Sequence, residues 1–305
     1  MNKMIKMIKK TRKAPCEVCT TRKLSKKSAL YKLHNGDTQL RQYLPSSPDQ
    51  MLDRKTKKDR QEVHLEGLKP NQIIFYFATN IKNFITNGSS TTPFVKAYDK
   101  LQNSGVTKTN TKGAAIVHVN CPQVYLAEDG QVYSRHFHII YWLVQKGVWD
   151  TKIYTHQIFC NVNKQFVKKI VNNNAKMYAK MHAKMHAKMH EKMHGKMQGK
   201  MQATMQAKMQ ETMHANRVLI IDALDESYYM KTHIPGAINI PASHKWSLNE
   251  VMKLLPPGTN STTPMIIYCY SPECNAAEKL WEQFNRLGFY NTMHYTGGIS
   301  DWNQN

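Results

Sequence analysis

The chain has 305 residues, is 41% hydrophobic, and carries 43 Lys and Arg against 21 Asp and Glu, a formal charge of +22. That length admits two domains of ordinary size, and no apolar run approaches the roughly 18 residues of a membrane-spanning helix, which excludes an integral helical membrane protein. Six Cys are too few for a disulfide-built scaffold, so the sequence predicts free thiols in a reducing, intracellular and cytoplasmic setting, with virion association if the source is viral. The Lys-rich start has no continuous apolar stretch and reads as no signal peptide.

The positive charge is unevenly placed. Residues 1–62 carry an excess of 11, residues 63–174 of 7 and residues 175–216 of 6, whereas residues 217–305 stand at −2. The expected organisation is a multi-domain one: a basic, largely disordered arm at 1–62, an antiparallel β-sandwich at 63–174, a low-complexity Met/Lys/His/Gln linker at 175–216, and an α/β domain at 217–305. The arm suits a polyanion through counterion release, and equally suits a solubilising tail. Within it Cys16 and Cys19 form a Cys-x2-Cys knuckle, half of a zinc site, which His34, His64, Cys121 or Cys160 would have to complete.

In the second segment, Ile73–Thr79, Ala115–Asn120, His136–Val144 and Ile153–Val162 are rich in β-branched and aromatic residues and are predicted strands. Asn87-Gly88, Lys112-Gly113, Asp129-Gly130 and Lys146-Gly147 are the turn signals that separate them. His136 and His138 alternate along a strand, so both rings leave the same face, a recurrent way to hold a transition metal. The other reading of this pair is two imidazoles on a solvent-facing surface. The run Gly105–Gly113, followed by Pro122, Tyr125, Arg135, His136 and His138, resembles the core of the intradiol ring-cleavage dioxygenase sandwich over about 50 residues. That resemblance implies a ferric ion held by two His and two Tyr, here His136, His138, Tyr125 and Tyr98, and an oxygenase-like activity. A His-x-His strand also occurs in rolling-circle nicking endonucleases, but these need a nucleophilic Tyr on a later helix, which this sequence does not place.

From Ala175 to His214 a four-residue unit repeats, as Ala-Lys-Met-His and then as Gly/Ala-Lys/Thr-Met-Gln. Its residues are good helix formers. Four residues advance a helix by about 400°, so each Met lies about 40° past the last and the stripe winds around the rod, unlike a coiled-coil seam. A semi-rigid helical spacer is expected, fraying at Gly195 and Gly199. The alternative is metal capture: His182, His186, His190 and His194, with thioethers beside them, suit copper.

After the repeat, Arg217–Asp222 and Met265–Cys269 read as buried parallel strands. Ser247–Leu255 and Asn275–Leu287 read as helices, the second stopping at Gly288. Alternating strands and helices imply a mainly parallel sheet, with chemistry at the carboxyl ends of its strands. Cys269 stands at such an end, before a short loop and a helix, where backbone N–H groups and the helix terminus favour a thiolate. Asp222, His233-Ile234-Pro235-Gly236-Ala237-Ile238-Asn239-Ile240-Pro241, Ile267-Tyr268-Cys269, Gly288-Phe289 and Gly297-Gly298-Ile299-Ser300-Asp301-Trp302 together resemble a single rhodanese domain over residues 217–304.

The resemblance implies a sulfurtransferase or persulfide carrier with Cys269 as nucleophile. It needs no cofactor there, and its partners are a sulfur donor and an acceptor, either a small molecule or a protein thiol. The active-site loop is then Tyr270-Ser271-Pro272-Glu273-Cys274, entering a helix at Asn275. Two departures bear on activity. No Arg or Lys stands in the loop, and Glu273 repels a dianion such as thiosulfate. Cys274 is a candidate resolving thiol. The other class of reading is a catalytically weak rhodanese fold that serves as a binding or regulatory module tethered to a structural sandwich.

Overall fold

The computed structural model describes residues 41–50, 60–80, 97–126, 132–192 and 217–304. The described residues fall into two compact units, one ending at Cys160 and the other beginning at Asn161.

The first unit is β-rich. Strand β1 (Gln61–Leu65) precedes β2 (Ile73–Ala78), β3 (Ser104–Lys108) and β4 (Ala115–Val119), followed by the short β5 (Tyr125–Leu126) and β6 (Val132–Tyr133). Then come β7 (His136–Leu143), β8 (Val148–Trp149) and β9 (Tyr154–Gln157). The central sheet runs β3-β2-β7-β8, with β9 pairing β7; β1 pairs β4, and β5 pairs β6, in ladders of their own. Period-two alternation sorts the side chains of β2 and β7 into two cores. Ile74, Tyr76, Ala78, Phe137, Ile139 and Tyr141 pack with Leu65, Ala115, Val117 and Val119 of the β1–β4 pair. On the other face Phe75, Phe77 and Ile140 pack with Tyr98, Tyr125, Tyr133 and Trp149. A sheet buried on both faces explains why β2 reads as a continuous apolar run and not as an alternating one.

The predicted strands at Ile73, Ala115 and His136 are present. The stretch Ile153–Val162 is not one strand: it divides into β9 and β10 (Cys160–Val162), and these belong to different sheets. Both pieces keep strand-type side chains, so nothing in the local pattern marks the change of partner. The expectation of free thiols is also corrected. Cys121 follows β4 and Cys160 opens β10, their Cα atoms are 5.7 Å apart, and they form a disulfide, a separation within the range such bonds require. Neither therefore offers a thiolate to Cys16 and Cys19, which lie outside the described residues.

The second unit is α/β. After β10 comes the long helix α1 (Lys164–Lys192), then β11 (Leu219–Asp222), α2 (Glu226–Tyr229), β12 (Ile238–Asn239), α3 (Leu248–Leu254), β13 (Met265–Tyr268), α4 (Ala276–Leu287), β14 (Thr292–Tyr295) and α5 (Gly298–Trp302). The sheet order is β10-β14-β13-β11-β12. The pairs β11–β12, β11–β13 and β13–β14 are parallel. Every residue of β11, β13 and β14 is buried, the pattern of a parallel sheet covered on both faces.

Helix α3 starts on a capping box, with Ser247 and Glu250 each bonding the other's backbone N–H, an arrangement that satisfies two otherwise orphaned donors. Helix α4 buries Ala277, Leu280, Trp281 and Phe284 along one stripe and ends at Gly288, whose φ of +92° is left-handed, as a glycine C-cap requires.

Helix α1 is anchored to this unit up to the first tandem repeat. Val167 and Ile170 are buried. Asn174 Nδ2 donates to the Val218 carbonyl at 3.0 Å, the Arg217 guanidinium lies 4.9 Å from the Tyr178 ring centroid, and the same guanidinium donates to the Tyr178 hydroxyl. Gly195 and Gly199 lie outside the described residues. No helix among the described residues is long and apolar enough to cross a membrane.

Candidate active site

Strand β13 delivers Cys269 to the carboxyl end of the parallel sheet, where the thiol is almost wholly buried, at 1% exposure. The chain then turns through Tyr270–Asn275 into α4. Three buried interactions fix this end of the sheet. The Tyr268 hydroxyl donates to Asp222 Oδ2 at 2.6 Å and accepts from the Ile234 N–H at 3.0 Å, so one side chain joins β11, the His233–Pro241 segment and β13. Asp222 Oδ1 accepts from the Leu224 N–H at 2.9 Å. Burial raises the Asp222 carboxyl, opposed by these bonds, and drives the Tyr268 hydroxyl well above the ordinary tyrosine range.

The loop is backed by α5. The Ile299 N–H donates to the Cys269 carbonyl at 3.0 Å and the Ser300 N–H to the Tyr270 carbonyl at 2.9 Å. Gly298 makes that approach feasible. Its φ is +62°, and a Cβ there would stand 2.4 Å from the Cys269 carbonyl oxygen and 2.6 Å from that of Tyr270, distances no side chain tolerates. The loop closes on itself through the Cys274 N–H, which donates to the Ser271 carbonyl at 3.0 Å. Glu273 is exposed and ionised, its carboxylate accepting the Ser271 hydroxyl at 2.7 Å and held below the usual range by that bond.

The two free thiols of the described residues, Cys269 and Cys274, meet inside this loop. Cys269 Sγ lies 3.1 Å from the Cys274 carbonyl oxygen and 3.7 Å from that of Ser271. Each thiol is the largest influence on the other's acidity. The Cys269 thiol is pushed up by its neighbour Cys274 and by burial, opposed by the Ala277 N–H. Cys274 is held down to about 5 by its neighbour Cys269 and by the N–H groups of Ala276, Tyr270 and Ser271. In this coupled pair negative charge is favoured at Cys274 over Cys269. Glu278, beside both thiols, has its carboxyl raised by burial, and lies 3.6 Å from the buried His294.

A buried cysteine at the tip of a parallel strand, with a short amide-rich loop leading into a helix, defines an α/β domain built around thiol chemistry. Residues 205–305 match the family model of the Rhodanese-like domain, so the C-terminal part of the chain carries a rhodanese-like domain. Among solved structures, a Bacillus halodurans protein is 33% identical over 28% of this chain and 57% of its own, at a TM-score of 0.24. A single domain sulfurtransferase from Saccharomyces cerevisiae is 22% identical over 28% of this chain and 72% of its own, also at 0.24. A human single domain sulfurtransferase is 17% identical over 31% of this chain and 88% of its own, at 0.25. The chain thus spans just over half the length of the Bacillus halodurans protein. No curated protein matches it.

A second cluster lies in the first unit. His136 and His138 leave the same face of β7, as the alternation predicts, but into the core and not into solvent; both are fully buried, as is Tyr98. The Tyr98 hydroxyl stands 3.1 Å from His136 Nε2 and 2.7 Å from His138 Nε2. His136 Nδ1 donates to the Ser134 carbonyl at 2.5 Å, and His138 Nδ1 pairs with Thr155 Oγ1 at 2.9 Å. The Tyr125 ring lies 6.3 Å from that of Tyr98 and 6.1 Å from that of His136.

Burial pushes His136 down to about 4, so its imidazole is neutral. Tyr98 is followed by three non-glycine residues in left-handed backbone, Asp99, Lys100 and Leu101 at φ of 41°, 52° and 60°, a conformation kept only where surrounding contacts demand it. The three donors that converge here, two imidazole nitrogens and a phenolic oxygen, suit a transition metal, and the second nitrogen of each ring is already oriented by a partner, as ligating histidines require.

Among the described residues no group of three or more His, Cys, Asp and Glu could hold a metal. His64, one proposed complement of the Cys16–Cys19 knuckle, instead pairs with Glu62 at the surface. The side chains of His186, His190 and His194 are outside what the structure describes.

Proposed function

We propose that the C-terminal domain is a rhodanese-type sulfurtransferase or persulfide carrier in which Cys269 takes sulfane sulfur from a donor and passes it to a thiol or other nucleophile. The observation that carries this reading is the position of Cys269, at the carboxyl end of β13 under a loop pinned by the Gly298 turn. Covalent capture needs a thiolate, and the Ala277 N–H is the group placed to receive one at Cys269 once Cys274 is neutral or engaged. The exposed, ionised Glu273 and the lack of any Arg or Lys between Cys269 and Asn275 make thiosulfate a poor donor, so uncharged or protein-bound sulfane sulfur is the better substrate class. Sulfur transfer measured on the wild type and on Cys269→Ser tests the reading; equal rates in both refute it.

A second reading concerns the first unit. The meeting of Tyr98, His136 and His138 supports a metal site there, with Tyr125 close by, and iron is the metal that phenolate and imidazole donors together suit. When bound, such an ion would supply Lewis-acid or redox chemistry; the residues' own part is to present two buried imidazoles and a buried phenolic oxygen. Metal analysis of the purified full chain, with Tyr98→Phe alongside, decides it: a wild type free of transition metal ends this reading.

A further inference from the structure

The active-site loop holds a second thiol that simple sulfur carriage does not use. Cys274 shares the loop with Cys269 as the other free thiol of the described residues, and its carbonyl oxygen accepts the Cys269 thiol at 3.1 Å. It is also the more exposed of the two. A persulfide on Cys269 would form within reach of this neighbour. We propose that the pair reduces sulfane sulfur: Cys274 attacks the inner sulfur of the Cys269 persulfide, and hydrosulfide leaves.

This rests on Cys269 accepting sulfur as proposed above. In the step, the bond between Cys269 Sγ and the outer sulfur breaks as a bond between Cys269 Sγ and Cys274 Sγ forms. The outer sulfur departs with the electron pair as hydrosulfide, and the two thiols are oxidised to a disulfide. One sulfane sulfur is thereby reduced to sulfide for each disulfide made. Thiol–disulfide exchange of this kind needs a thiolate attacker, which the amides of Ala276, Tyr270 and Ser271 favour at Cys274. The cycle closes when an external dithiol attacks the disulfide at its exposed sulfur, that of Cys274, and returns both thiols. The substrate class is the sulfane sulfur of an organic or protein persulfide, and the co-reactant a dithiol protein or small dithiol.

The test uses the full chain, reduced and freed of reductant, then treated with a small organic persulfide, whose transfer of its outer sulfur to Cys269 expels a thiol and no sulfide, quenched in acid and digested with trypsin. Both cysteines fall on the fragment between Lys253 and Lys279, so one mass reports both states. For the wild type we expect one hydrosulfide released per chain and a fragment lighter by two hydrogens. In Cys274→Ser and Cys274→Ala we expect no release, and a fragment one sulfur heavier with the sulfur on Cys269. The proposal is overturned if the wild type keeps the added sulfur without forming the disulfide, if the Cys274 variants release sulfide as fast as the wild type, or if the disulfide forms equally fast without the persulfide. In the first two of those outcomes sulfur uptake at Cys269 still stands. If neither the wild type nor the variants take up sulfur or close the disulfide, the sulfurtransferase reading falls with it.

Discussion

Alkylation of the wild-type protein by iodoacetamide from about pH 4 to about pH 9, followed on the fragment that contains both loop thiols, tests where the negative charge resides. A thiol held at about 5 is about 97% ionised at about pH 6.5, whereas an ordinary thiol titrating near 8.5 is about 1% ionised there. Lower basicity also weakens the nucleophile. With a Brønsted slope of about 0.4–0.5, the plateau rate falls about 25–55-fold below that of a fully ionised free thiol. The two effects nearly cancel in the rate at any one pH near neutrality, so the informative quantity is the shape of the profile. We expect labelling at Cys274 to be level from about pH 6.5 upward, with Cys269 protected by its burial. Removing the S–H donor in Cys269→Ala takes away the largest influence on Cys274, and the midpoint should move up. A wild-type midpoint near 8.5, or Cys269 labelled first, would refute the assignment of charge to Cys274.

Three further outcomes are expected. Gly298→Ala forces a Cβ against the Cys269 and Tyr270 carbonyls, and should lower both thermal stability and sulfur transfer; a variant with unchanged activity would show that the loop is not pinned there. Tyr98→Phe removes the hydroxyl that pairs both imidazoles and should cost about 1–3 kcal/mol in denaturant unfolding of the first unit, the penalty for unpaired buried polar groups. His294 is held down to about 4 by burial, so the unfolded chain takes up this proton first as acid is added. Its contribution to stability is complete above about pH 6.5 and is lost towards about pH 4, up to roughly 3 kcal/mol. The Glu278 carboxylate 3.6 Å away does not reverse the sign, because burial raises it towards neutrality as well. His294→Gln should flatten that part of the pH–stability curve, and an unaltered slope would count against it.

The parallel sheet was legible because β11 and β13 are short apolar runs, and α4 because its buried stripe ends at a glycine that must be left-handed. The motif around Gly297-Gly298 was legible as a pattern, but its physical reason, a backbone-to-backbone approach, needs coordinates. The two-residue strands β5, β6, β8 and β12 are too short to carry any period. The Cys121–Cys160 bond joins residues 39 apart, and nothing local specifies it. Alternation along β7 puts His136 and His138 on one face, but that this face is covered as well as the other depends on what packs on β2 and β7.

Asn174 is bonded to Val218, 44 positions on, and Tyr178 to Arg217, 39 positions on. Asn174 and Tyr178 on one side of the tandem stretch and Arg217 and Val218 on the other are therefore held at one place on the α/β unit. For a chain closed between fixed ends, doubling its length costs only about 0.6 kcal/mol. Gain or loss of four-residue units by copying slippage would thus pass almost unnoticed by the fold, and length variants of this stretch should be tolerated far better than substitutions at its two footings.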